Sequence, residues 1–319
     1  MSKNNIHRLC VIIIPLLLCL ACKEAKETII EHEEETIVEE DPNAPPRLWR
    51  EKWHEHELLL TRQYYNDSIV IYHDDDMDPT VTWPRRILTQ IWNYSWKHYG
   101  GFGPDPRLRV VLHGGTYGGG HPGYYLSNKH EYFNVIDVGW HATNGEDSIG
   151  EPLDITAHEI GHIVESVSYN TLNSPAFSIW GDSKWMEIYQ YDVYKGLGWT
   201  EKAASWHNRM MTIKEDFPRA NTYWYRDWFF PIYDRYGGVT VLNNFFKLLS
   251  EHFPTTSIPN GRKYIRDLNF GEFIHFWSGA AGEDLSELAA AAFGDKDRYG
   301  NLWMPQLQQA QKDFSAISY

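Results

Sequence analysis

Between Leu153 and Ser168 the chain reads LDITAHEIGHIVESVS. On a helix, His158 and His162 stand at i and i+4, one turn apart on one face, so both imidazoles can reach a single ion. Glu159 lies beside them, rotated off that axis, where a carboxylate can hold a water and take its proton. Ile155, Ala157, Ile160, Ile163 and Val164 give the segment the apolar positions of a buried helix. Burying two imidazoles and a carboxylate there without a ligand is costly. The segment therefore asks for a fold that holds one helix inside a core while leaving part of it open to a metal. Zinc is the metal that this spacing suits.

The body around that helix has material for a large core: the chain carries 14 Trp, 20 Tyr and 14 Phe in 319 residues. Strand patterns come first, over Asp67–His73, Arg107–His113 and Tyr132–Trp140. A helix between them runs from a Thr82 cap through Pro84 to Gly100. Asp74 to Asp78, in HDDDMDP, read as a turn whose acids favour the next helix, since the central Gly and final Glu of an EF-hand loop are absent. The glycine-rich stretch 114–125 reads as a loop, without the strand-to-helix context of a phosphate loop. Beyond the HEIGH segment the text is helical, over Asp182–Gly198, Thr222–Gly238, Val239–Phe253 and Asn269–Gly294. Strands followed by helices give an α+β class: a small mixed or antiparallel sheet, the HEIGH helix, then a helical subdomain. One domain is expected over 47–319, strand-rich to about residue 150.

The first 22 residues are a separate object. A short basic start precedes LCVIIIPLLLCLAC, an apolar run too short to span a bilayer and interrupted by Pro15, as in a signal-peptide core. All three cysteines, Cys10, Cys19 and Cys22, lie there, so the body has neither a disulfide nor a thiol nucleophile. Residues 23–46 carry nine acids and two lysines and read as a solvated, extended linker. The formal charge of −14 and the absence of any basic stripe argue against a nucleic-acid partner.

CLAC resembles the lipobox of bacterial lipoproteins, with Cys19 where a Leu-like residue is usual. The resemblance implies lipidation of Cys22 and a membrane tether through that lipid. The expected location is the bacterial cell envelope, as an outer-membrane lipoprotein. The acidic segment behind Cys22 is similar to the surface-export signals of some such lipoproteins.

The body resembles the gluzincin metallopeptidases over roughly Ser68 to Gly294, through HEIGH, WMEIYQYD and the late helices YDRYGGVTVLNNFFKLLSEH and FIHFWSGAAGEDLSELAAAAFG. Plant-type basic secretory proteins and enhancin-like peptidases are the nearest in pattern. The resemblance implies a zincin-like fold and a third zinc ligand from a second helix. Glu187, in an apolar setting 25 residues past His162, is the residue it points to, with Asp182 as the alternative. Families with a nearby third His place Gly where this chain has Glu165, so Glu165 reads as a support for a ligand or as surface. An aspartate four residues after the ligand often orients a histidine in this class; here that place holds Tyr191, and Asp192 is one further. The family also implies a group that stabilises an oxyanion, for which Tyr223 and Tyr225 are candidates. Gly237, Gly238, Gly282 and Leu285 read as packing and turn residues.

Two functions of different class follow. In the first, His158, His162 and Glu187 hold Zn2+, Glu159 activates water, and a peptide or glycoprotein substrate pairs with the strand in 132–140 as an edge. In the second, a non-catalytic lipoprotein on a zincin-like scaffold binds glycans or proteins through its tryptophans. A monomer is the expected state in both.

Overall fold

A computed structural model describes residues 41–52, 57–115, 117–140 and 150–319. Cys22, the leader and the linker to residue 40 lie outside the described residues, as does most of the turn after Trp140.

Residues 48–140 build a six-stranded sheet in the order β1-β2-β3-β4-β6-β5. Its strands are β1 (Leu48–Arg50), β2 (Leu59–Tyr65), β3 (Ile69–His73), β4 (Leu108–His113), β5 (Gly118–Gly123) and β6 (Val135–Trp140). β3, β4 and β6 run parallel, and β1, β2 and β5 are antiparallel to their neighbours. The central strands are buried on both faces, which is why they read as continuous apolar runs. Ile69, Ile71, Val110, Leu112, Ile136 and Val138 face the main core. Val70, Tyr72, Val111 and Val135 point the other way, into a smaller cluster with Leu60.

β5 is the outer strand on the β6 side, and β6 is interior. This corrects two expectations: stretch 114–125 is not only a loop, and the strand in 132–140 is not an edge. Glycine weakens strand propensity and carries no alternation, so the pattern hid the strand. The fold needs glycine there for close approach. A Cβ on Gly139 would stand 2.4 Å from the Tyr117 backbone.

The HEIGH segment is α2 (Glu151–Val167), with Pro152 in its first turn and Glu151 and Asp154 at its positive end. It follows α1 (Trp83–His98), the crossover between β3 and β4. After α3 (Phe177–Trp180) comes α4 (Lys184–Gly196), which packs on α2. Gly161 permits that approach: a Cβ there would lie 2.5 Å from Met186 Sδ and 2.7 Å from the Tyr189 ring.

The rest is helical: α5 (Thr200–Met210), α6 (Phe230–Arg235), α7 (Val239–His252), α8 (Phe270–Ala281), α9 (Ser286–Phe293) and α10 (Trp303–Asp313). A small second sheet joins β7 (Thr171–Leu172), β8 (Thr255–Ile258) and β9 (Gly261–Tyr264). Two helices differ from expectation. Thr222–Gly238 opens with a π-helical stretch, Trp224–Phe229, before α6. Asn269–Gly294 is broken at Gly282, whose φ of +70° ends α8. The class is α+β, and Asn43–Tyr319 forms one compact unit. Among the described residues no helix is long and apolar enough to cross a membrane.

Candidate metal centre

α2 delivers His158 and His162 to one place, where their Nε2 atoms are 3.1 Å apart. A carboxylate completes the group: Asp182 Oδ1 is 3.2 Å from His162 Nε2, and Asp182 Oδ2 is 3.9 Å from His158 Nε2. The three ligand atoms lie within 4.8 Å of one another. Behind His162, Glu165 Oε2 is 3.2 Å from Nδ1, and Glu165 Oε1 accepts 2.6 Å from Trp180 Nε1. Glu165 is thus a buried support for His162, one of the two roles expected of it. A carboxylate on the far nitrogen fixes the ring and directs Nε2 outward, the usual arrangement behind a metal-bound histidine.

The titration of these groups follows from burial and charge. Burial, then the neighbouring His162, lowers His158 to about 4. Burial also works against charge on His162, but the hydrogen bonds its ring donates to Asp182 and Glu165 outweigh it and hold this ring at about 10. Glu159 is buried and pushed up to about 7, chiefly by desolvation.

The donors fit zinc. Two nitrogens each about 2.0–2.1 Å from one tetrahedral ion stand roughly 3.3 Å apart, close to the separation found here. Two imidazoles and a carboxylate, with a carboxylate behind one ring, are the donor chemistry zinc takes. Around them is a cleft of about 800 Å³, lined by Gly119 and Gly120 of β5, His158, Glu159, Asp182, Gln190, Lys202, Trp206 and Arg209 among others.

No protein-family model matches this chain, and no curated protein is similar to it in sequence. Solved structures are similar in fold. A functionally unknown conserved protein from Bacillus anthracis matches with a TM-score of 0.50 at 13% identity, over 77% of this chain and 50% of that one. An M1 zinc metallopeptidase from Deinococcus radiodurans matches with a TM-score of 0.46 at 11% identity, over 78% and 51%. Yeast LTA4 hydrolase matches with a TM-score of 0.46 at 11% identity, over 79% and 42%. The chain spans about half the length of the first structures it matches. At such identity the Bacillus likeness is one of fold alone.

The other expected site residues supply none of these three ligand atoms. Glu187, on α4, is buried, and desolvation raises its carboxyl to about 8. Its carboxylate falls outside the group of ligand atoms around His158. Tyr225 is wholly buried, with its hydroxyl 2.9 Å from His207 Nδ1. Tyr223 packs its ring under the Arg226 guanidinium, 3.5 Å away. Neither tyrosine lines the cleft.

Sequence reading missed Tyr124. It follows β5, bonds to the Ser166 side chain, and feels Glu165, Glu159 and Asp182. It also missed the role of Asp192. That buried carboxylate takes hydroxyls from Tyr99 at 2.7 Å, Tyr233 at 2.9 Å and Tyr94 at 3.1 Å, so it ties α4 to the α1 region and to α6. It braces α4 rather than orienting a histidine.

Proposed function

We propose that this chain is a zinc-dependent peptidase acting on proteins or glycoproteins outside the inner membrane, tethered by a lipid on Cys22. One observation carries the reading: the 3.1 Å Nε2 pair of His158 and His162 opens to a cleft beside a buried Glu159 that titrates near neutrality. A general base works best with a pKa near the operating pH, so this carboxylate suits proton transfer where a surface glutamate would not.

His158, His162 and a carboxylate from the segment that leads into α4, or from α4 itself, hold the ion. Asp182 is the carboxylate in contact, and Glu187 is the alternative. A bound zinc ion supplies a Lewis acid for the scissile carbonyl. Glu159 takes the proton of the attacking water and passes it to the leaving amine. β5 offers its outer edge to an extended peptide, which holds the scissile bond above α2 through main-chain hydrogen bonds. Glycine at 118–120 leaves that approach without side-chain obstruction.

A peptide-library digest with and without a chelator tests the activity, and Glu159→Gln tests the mechanism. The variant is expected to retain zinc while cleavage falls at least about a hundredfold. Cleavage at the wild-type rate by Glu159→Gln, or no cleavage by the zinc-loaded chain, overturns the reading.

A further inference from the structure

A second cluster of metal-ligating groups lies on the other face of the same sheet. His113 ends β4 two residues past Val111, and Asp137 sits in β6 two residues past Val135, so both are turned away from α2 with those valines. Glu51 follows β1, and Asp74 follows β3. Glu51 and His113 are wholly buried, Asp137 is 3% exposed and Asp74 8%.

The arrangement is directional. Asp74 Oδ1 accepts from the backbone N–H groups of Gly114 at 3.2 Å and Asp76 at 3.1 Å, which leaves Oδ2 to meet His113 Nδ1 at 3.0 Å. That contact fixes the ring and aims Nε2 at two further carboxylates. Asp137 Oδ1 is 3.0 Å from Nε2 and Glu51 Oε2 is 3.4 Å. Glu51 is held in the same manner, its Oε1 accepting from Leu58 N–H at 3.1 Å. The three ligand atoms from Glu51, His113 and Asp137 lie within 4.8 Å of one another. The two distances from His113 Nε2, 3.0 and 3.4 Å, are near the roughly 3.3 Å edge of a tetrahedron around zinc, and a carboxylate on the far ring nitrogen is the support that metal-bound histidines use.

We propose that Glu51, His113 and Asp137 form a second, structural site for a divalent cation of the zinc class, with Asp74 orienting His113. The donors come from three separate places in the sequence, so the ion would clasp the segment after β1 to β4 and β6 at the site end of the sheet. Its role is in holding the fold, because its ligands lie on the face of the sheet turned away from α2.

The test uses the full chain, stripped with a chelator and reloaded with zinc chloride alone. Wild type is expected to hold about two equivalents, and a chain carrying His158→Ala and His162→Ala about one. Zinc should raise the Tm of that second chain by roughly 5 °C or more. Adding Glu51→Gln and Asp137→Asn should drop the metal below about one-tenth of an equivalent while the circular dichroism spectrum persists. If that variant does not fold, anomalous diffraction at the zinc edge on the His158→Ala/His162→Ala chain decides, with a peak expected between His113 Nε2, Glu51 and Asp137. Less than about one-tenth of an equivalent in that chain, or a peak elsewhere, overturns the proposal and leaves His113 as a charged ring in a carboxylate cage. One equivalent in both wild type and the His158/His162 variant would keep this proposal and sink the peptidase reading instead.

Discussion

Gly120 on β5 lies directly against Glu159 on α2: a Cβ built on the glycine would stand 2.5 Å from Glu159 Oε1. The edge strand and the proposed base are in contact with no room for a side chain between them. Gly120→Ala must therefore push the carboxylate aside. We expect kcat/KM to fall at least about tenfold with zinc content unchanged, since small misplacements of a reacting group are costly. Unaltered kinetics in that variant would show that the position of Glu159 is not what limits turnover.

The carboxylate that joins the histidines can be identified by substitution. The side chain of Asp182 is 74% exposed, so it carries little burial cost of its own, whereas Glu187 is buried and its carboxyl is raised to about 8. Asp182→Asn is expected to weaken zinc at least about tenfold, with Glu187→Gln closer to wild type. Isothermal titration of both variants checks this, and a larger loss in Glu187→Gln would move the ligand to α4.

Glu165 would act on a metal held by the histidines only through His162. Its other oxygen is held by Trp180 Nε1, so the support is rigid. Glu165→Gln should lower zinc affinity by about tenfold to a hundredfold without removing a ligand. Competition against a chromogenic chelator measures it, and wild-type affinity would reduce Glu165 to packing.

Asp192 gives stability a pH dependence of known sign. Burial raises its carboxyl from 3.8 to about 6, against the lowering hydrogen bonds of Tyr99, Tyr233 and Tyr94. The folded chain then binds this proton more tightly than the unfolded one. The contribution is fully present below pH 3.8 and is lost as pH rises through about 6. Asp192→Asn removes the proton, so the change in urea midpoint between pH 4 and pH 7 should differ from wild type by the loss of this component. Identical pH slopes in both proteins would exclude Asp192 as its source.

Much of this was legible before any coordinates. The i, i+4 histidines lie on one helix, the apolar runs at 67–73 and 107–113 are strands, and their order gives the α+β class. β5 was hidden because glycine has no side chain through which alternation could show. Sequence favours Glu187 for its apolar helical setting, with Asp182 as the alternative, and the contact of Asp182 with the histidines depends on the turn through Gly181, which no helical spacing describes. The His113 cluster left no local trace. Residues 51, 74, 113 and 137 come together only through strand order, and no spacing rule links them.

The three hydroxyls on Asp192 come from positions 94, 99 and 233. A chain leaving the ribosome delivers two of them early and the third only after another 41 residues beyond Asp192. Domains emerge and fold from the N-terminus, at about 5–20 residues each second. For several seconds of synthesis Tyr94 and Tyr99 are therefore the only two of the three partners that have been made. A chain stalled before Tyr233 would contain the whole HEIGH segment and α4 but only two of the three hydroxyls that Asp192 takes.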